Sequence, residues 1–134
     1  MSQENLEIAR EFVDSCNRGE FDAVFEFCTP DVEGYPDASF PEPRLRIGQA
    51  ALKAFLEEIA TAWAEPPQYV LKELVAVGDD RVLARGDWRG RGAASAIESS
   101  SEWSLVWTIR GRQIARIAWF SDREEALEAV GLSE

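Results

Sequence analysis

The sequence predicts an α+β fold, with three N-terminal helices packed on a strongly curved antiparallel sheet and a short helix at the C-terminus. Three observations carry this expectation. Apolar residues recur at helical spacing as far as Trp63, the period changes to alternation after Pro67, and the alternating stretch is broken at two turn signals into a pair of hairpins. The chain is 134 residues long, enough for one domain to bury a core without disulfides or a structural metal. Residues 1–134 are therefore read as a single domain.

The first helix runs from Asn5 to Arg18, where Leu6, Ala9, Val13 and Cys16 form a stripe that Ile8 and Phe12 widen. Gly19 can take the left-handed conformation that ends such a helix. A second helix follows from Glu20 to Cys28 and is stopped by Pro30, since the residue before a proline avoids helical geometry. Val32 to Tyr35 is a short strand that leads into a loop carrying Pro36, Pro41 and Pro43. The third helix spans Gln49 to Trp63, with Leu52, Phe55, Leu56, Ile59 and Trp63 on one face and Pro66-Pro67 as its terminator. The first hairpin turns at Asp79-Asp80 and the second at Gly111-Arg112. Between them, Arg89-Gly90-Arg91-Gly92 reads as a strand end with a bend, because no helix start follows to make a phosphate loop. Ser121-Asp122-Arg123-Glu124 is a capping box that opens the last helix, which Gly131 ends.

Composition removes several classes of function. Lysine and arginine number 14 against 25 acidic residues, a net charge of −11 spread along the chain. Nucleic acid and membrane surfaces are poor partners for such a field. No signal peptide is recognisable at the N-terminus, and the default expectation is a cytoplasmic protein. Cys16 and Cys28 both fall on apolar stripes, where a thiol acts as a small hydrophobe. The chain has no histidine, so nucleophile systems that need one, and the usual zinc and non-haem iron sites, are excluded. Acid–base work would fall to carboxylates, tyrosine or lysine.

Strand alternation nominates the inward-facing groups. In the first hairpin it sets Val77 opposite Val82, Val75 opposite Ala84, Glu73 opposite Gly86 and Leu71 opposite Trp88. Glu73 is then either a buried acid with a raised pKa, suited to proton transfer, or an edge-strand carboxylate that reaches water or a structural partner. In the second hairpin it sets Ile109 opposite Ile114, Trp107 opposite Arg116, Leu105 opposite Ala118 and Trp103 opposite Phe120, with the Trp103–Trp107 face inside. Arg116 would stack on Trp107, pair with a buried carboxylate such as Glu73, or hold a substrate oxygen. The other face, with Ser104, Val106, Thr108, Ala115, Ile117 and Trp119, is expected to form a homodimer. Glu33 and Tyr35 share a strand face, where a carboxylate and a phenol could converge on one molecule.

The element order, the closing segments Val106–Arg110, Ile114–Ile117 and Phe120–Leu127, and the turn Asn17-Arg18-Gly19-Glu20-Phe21-Asp22 together resemble the SnoaL-like branch of the nuclear transport factor 2-like superfamily. That resemblance implies a cone-shaped sheet around a pocket. It implies no single activity, because the superfamily includes polyketide cyclases, ketosteroid isomerases, dehydratases and proteins that only bind. SnoaL-type cyclases pair an aspartate with a histidine, which is absent here. The first-helix tyrosine of ketosteroid isomerases corresponds to Phe12, seven residues before Gly19.

The expected function is a pocket for a small apolar molecule, with Phe12, Phe25, Phe55, Trp63, Trp88, Trp103 and Trp107 as ring contacts. One version is a cofactor-independent isomerase, cyclase or dehydratase, with Glu33 or Glu73 moving the proton and Tyr35 or Arg116 polarising oxygen. The other is a non-catalytic ligand-binding or dimerisation domain.

Overall fold

The computed structural model describes residues 2–40, 43–65, 67–92 and 94–131. Helix α1 (Ser2–Asn17) is followed by a single turn α2 (Phe21–Val24), a 3-10 turn at Phe25–Phe27 and strand β1 (Cys28–Tyr35). A two-residue strand β2 (Arg46–Ile47) leads into α3 (Gln49–Thr61); then come β3 (Gln68–Val77), β4 (Arg81–Arg91), β5 (Glu98–Arg110), β6 (Gln113–Phe120) and α4 (Arg123–Ala129). The strands form one sheet in the order β2-β1-β6-β5-β4-β3. Its pairings are antiparallel except that β1 runs parallel to β6.

The second helix is shorter than expected. Glu20 to Cys28 contains only one α-helical turn, and Cys28 already begins β1, so Pro30 lies inside a strand. Between Cys28 and Glu33 the β1–β6 register shifts, and such an irregularity accommodates a residue that cannot donate to the ladder. The third helix ends at Thr61, and Trp63 instead bridges to Gly92 beyond the end of β4. The last helix is capped by Asp122, whose side chain accepts from the Glu124 N–H, rather than by Ser121. Pro41 and Pro66 lie outside the described residues.

Helix α1 is pinned along the edge of the sheet at both ends. Near its start, the Asn5 side chain donates to the Asp79 carbonyl in the β3–β4 turn. At its last residue, Asn17 Oδ1 accepts from the Tyr69 N–H at 2.8 Å, and Asn17 Nδ2 donates to the Tyr69 carbonyl at 3.1 Å. One amide thus satisfies both backbone groups of an edge-strand residue, as a neighbouring strand would.

The main core lies between the helices and the inner sheet face, with Phe12, Leu52, Phe55, Trp107 and Trp119 each at most 3% exposed. A smaller cluster lies on the outer face, where α4 sets Ala126, Leu127 and Val130 over Leu83 and Val106.

Both hairpins depart from simple alternation, and the departures relocate two charges. The first closes through three residues, with Gly78 at φ 65°, so Val77 pairs with Arg81 and Ala76 with Val82. A bulge between Leu71 and Glu73 then gives β3 an extra residue. Glu73 pairs with Arg85 on the outer face, while Leu71 and Tyr69 face Gly86 and Trp88 inside. The second hairpin turns at Gly111-Arg112 with both φ values positive, and Ile109 pairs with Ile114 as alternation predicts. The register then slips by one residue, so Trp107 faces Ile117 and Leu105 faces Trp119. Ile117 and Trp119 are therefore core, not outer face, and Arg116 is outside opposite Thr108.

Candidate functional site

Two cavities lie between the helices and the inner sheet face, and Ile59 and Trp88 line both. The inner one, about 50 Å³, is bounded by Phe12, Val13, Cys16, Leu105 and Trp119 among others. The outer one is about 420 Å³ and is walled by five aromatic side chains, Phe40, Phe55, Trp63, Trp88 and Trp103. Its volume falls in the range of roughly 300–1,000 Å³ usual for small-molecule sites.

The rings are held by one another. Phe55, buried on α3, meets Phe40 edge-on at 5.4 Å and Trp119 at 5.3 Å. Phe40 also meets Trp103 at 5.2 Å. The Trp103 indole donates to the Ser101 hydroxyl at 3.0 Å. Tyr69 packs on Trp88 and donates its hydroxyl to the Trp103 carbonyl at 2.8 Å. Burial, with the negative charges of Glu102 and Asp87, pushes the Tyr69 phenol above its ordinary range, so it stays a neutral donor.

Among the described residues, Arg46 and Glu58 are the ionisable ones that line the larger cavity. Arg46 arrives from β2, its side chain only 6% exposed, and its guanidinium lies 4.6 Å from the centre of the Phe55 ring. Nη1 donates to the Arg44 carbonyl, and Nη2 lies 3.9 Å from Glu58 Oε2. Its cross-strand partner on β1 is Gly34, whose missing side chain leaves space for Leu52. A Cβ at residue 34 would crowd Leu52 at 2.8 Å and lie 3.8 Å from the Arg46 Cβ.

Of the expected ring contacts, Phe55, Trp63, Trp88 and Trp103 wall the larger cavity and Phe12 the smaller one. Trp107 is fully buried against Phe12, and Phe25 packs against the core; neither lines these two cavities. Phe40, Arg46, Glu58, Ala62 and Ser101 also line the larger cavity, and sequence reasoning did not single them out.

The charged candidates lie on the outer face. Glu33 and Tyr35 share a strand face as expected, and Arg116 joins them. Glu33 Oε1 accepts from the Tyr35 hydroxyl at 3.0 Å and lies 3.3 Å from Arg116 Nη2, whose guanidinium is 4.8 Å from the Tyr35 ring centre. The bond to Glu33 holds the Tyr35 phenol above its ordinary value. Arg116 is therefore not set among the tryptophans, and its carboxylate is Glu33 rather than Glu73. Glu73 is half-exposed and pairs with Arg123 at 3.3 Å, so the expectation of a carboxylate buried among apolar side chains is corrected. The reason is the bulge beside it.

Both thiols are free; burial pushes Cys16 and Cys28 up to about 12. Among the described residues, no group of three or more histidine, cysteine, aspartate or glutamate side chains is placed to hold a metal, and no helix is long and apolar enough to cross a membrane.

The sequence profile of the SnoaL-like domain matches residues 9–117, most of the chain. The chain belongs to the SnoaL-like domain family. No curated protein matches it. Among solved structures, TerC co-crystallised with polyporic acid shares 18% identity over 95% of this chain and 98% of its own, with a TM-score of 0.78. A candidate polyketide cyclase from Xanthomonas campestris pv. campestris shares 21% over 97% and 98%, with a TM-score of 0.76. A ketosteroid isomerase-like protein from Catenulispora acidiphila, in complex with trimethylamine, shares 13% over 94% and 93%, also at 0.76. These likenesses establish the fold of a SnoaL-like domain, with polyketide cyclase-like and ketosteroid isomerase-like neighbours.

Proposed function

We propose that this SnoaL-like domain binds a small, flat, largely apolar molecule in the 420 Å³ cavity. The carrying observation is the ring wall. Five aromatic side chains face one space, where a planar guest gains apolar burial and ring–ring contact at once. The test is thermal unfolding of the intact protein with a panel of bicyclic aromatic probes that includes neutral members. A saturable rise in melting temperature, lost in Trp103→Ala, is expected, because binding to the native state stabilises it by mass action. A panel without a single saturable shift would rule the reading out.

Proton transfer is a second reading, favoured by Glu58 and Arg46 meeting at the same cavity. A carboxylate could move a proton while a guanidinium stabilises the oxyanion that develops. Turnover of a bound compound that survives Glu58→Gln unchanged would argue against it.

The homodimer rests on a different feature. It would bring a second copy against the outer sheet face at the β2 edge, where Ile47, 61% exposed, stands beside the Glu33–Arg116 pair. Sedimentation of the wild type as a monomer at high concentration would dismiss it, and Ile47→Asp should weaken any dimer seen.

A further inference from the structure

We infer that the smaller cavity is a second chamber of the same site, one that takes a short alkyl substituent of the aromatic guest, with Ile59 and Trp88 as the partition that the substituent passes. This rests on the reading of the larger cavity as a small-molecule site and specifies a second part of the ligand.

The argument begins with continuity. Ile59 on α3 and Trp88 on β4 line both spaces, one from the helix layer and one from the sheet, so the two cavities meet at the same two side chains. Two ring pairs cross the same partition. Phe55 of the larger cavity meets Trp119 of the smaller one at 5.3 Å, and Trp88 meets Tyr69 of the smaller one at 6.2 Å. Ile59 and Trp88 are each half-buried rather than enclosed. Side chains so placed commonly change rotamer when a guest binds, without movement of the backbone.

The walls of the inner chamber favour an apolar occupant. Two of its polar side chains are engaged elsewhere: the Asn17 amide holds the Tyr69 backbone through both its nitrogen and its oxygen, and the Tyr69 hydroxyl donates to the Trp103 carbonyl. Phe12, Val13, Leu56 and Leu105 supply hydrocarbon wall around them. An apolar void of this kind stays dry and takes apolar guests. Its size sets a length. One water-sized group needs about 10–15 Å³, so the space of about 50 Å³ admits a chain of about three carbons.

The chamber is also held open. Protein interiors close-pack with few gaps larger than a water molecule, so a gap of this size persists where its walls cannot move in. The Asn17 clamp fixes the end of α1 to the start of β3. On the sheet side the Tyr69 ring lies over Gly86, where a Cβ would come 2.9 Å from Tyr69 Cζ. The missing Cβ lets the ring lie against the sheet rather than fill the space above it.

The test is isothermal titration of the full chain with two neutral probe series, 1-naphthol and 2-naphthol as parents and their 4-alkyl and 6-alkyl derivatives, respectively, with methyl, propyl and hexyl chains. Each buried methylene is worth about fourfold in affinity, so the propyl member of at least one series should bind at least tenfold more tightly than its parent. The hexyl member of that series should bind no more tightly than the propyl one, because the chamber ends. Cys16→Met and Ala60→Leu, which fill the chamber from α1 and α3, should each bring the ratio of propyl to parent affinity to within about twofold of one. A ratio near one in both wild-type series, an affinity that keeps rising from propyl to hexyl, or a tenfold ratio that survives both substitutions would overturn the second chamber while the larger-cavity reading stands. Absence of binding by every member, parents included, would overturn both. The wild-type series decide the matter even if neither variant folds.

Discussion

Replacing Gly90 with alanine should lower stability and ligand affinity together, because Gly90 is the seat of a cavity-wall ring. A Cβ at residue 90 would lie 2.4 Å from Trp63 Cε3, 2.8 Å from Cζ3 and 3.0 Å from Cδ2. Carbon atoms rest about 3.5–4.0 Å apart, so the indole must give by about 1 Å. Its backbone cannot easily follow. Trp63 bridges to Gly92, and the next residue, Ala64, donates its N–H to the Arg91 carbonyl at 2.8 Å. Overpacking of this kind costs about 1–3 kcal/mol. Gly90 is not among the residues with positive φ, so alanine also restricts the unfolded chain and returns about 0.4–1 kcal/mol. The net loss is about 1–2 kcal/mol, which lowers the melting temperature of a chain this size by roughly 3–8 °C. With the Trp63 wall displaced, probe affinity should fall about tenfold, which corresponds to about 1.4 kcal/mol of lost ring contact. Circular dichroism melting and probe titration measure the two effects. Unchanged melting and unchanged affinity would refute the seating of Trp63 on Gly90 and, with it, that edge of the cavity.

Burial alone would raise the Asp37 carboxyl, but bonds from Ser121 and Ser39 outweigh it and hold the group below its ordinary value. A depressed carboxyl stabilises the fold above its unfolded pKa of about 3.9 and loses that contribution as pH falls through the folded value. Asp37→Asn should therefore flatten the acid limb of stability measured by urea unfolding, and a variant with the wild-type acid limb would contradict these bonds. Glu73→Gln should cost no more than about 1 kcal/mol and leave probe affinity unchanged, because the Glu73–Arg123 pair is half-exposed and outside the cavity. A large loss by either measure would restore the buried placement. Cys28, 2% exposed and pushed up to about 12, should label with a thiol reagent near neutral pH only as fast as the protein opens, and promptly in denaturant.

Much of the fold was legible because helices α1 and α3 and both hairpins carry strong periodic signals. What alternation could not supply was where the period breaks. A strand's side chains change faces with every residue, so one unpaired residue reverses everything beyond it. The bulge between Leu71 and Glu73 and the slip between Ile114 and Arg116 each do so, and each moves a charge from the expected interior to the outer face. Each shift also keeps large apolar groups inside, with Leu71 and Tyr69 on β3 and Ile117 and Trp119 on β6. Burial of rings outweighs an uninterrupted ladder, and a bulge carries no sequence mark of its own. Glu33 and Tyr35 have no register shift between them, and their shared face was read correctly.

The cavity divides along the same line between what bulk predicts and what only geometry supplies. Phe55, Trp63, Trp88 and Trp103 could be named because large rings on inward-facing positions must line something. Arg46 could not, because Leu45-Arg46-Ile47 suggests by alternation that the two apolar residues are inside, and the structure has the reverse. Register explains the inversion. Strand β2 pairs Arg46 with Gly34 and Ile47 with Glu33, so Arg46 shares the inner face with Gly34 and Ile47 faces out beside the ion pair. Arg46 is buried with polar partners of its own while Ile47 is left in water, so two neighbouring residues each depart from what hydrophobicity alone would predict. Hydrophobicity along three residues cannot set the face of a two-residue strand; its pairing with β1 does, and that pairing is a long-range fact the local sequence does not carry.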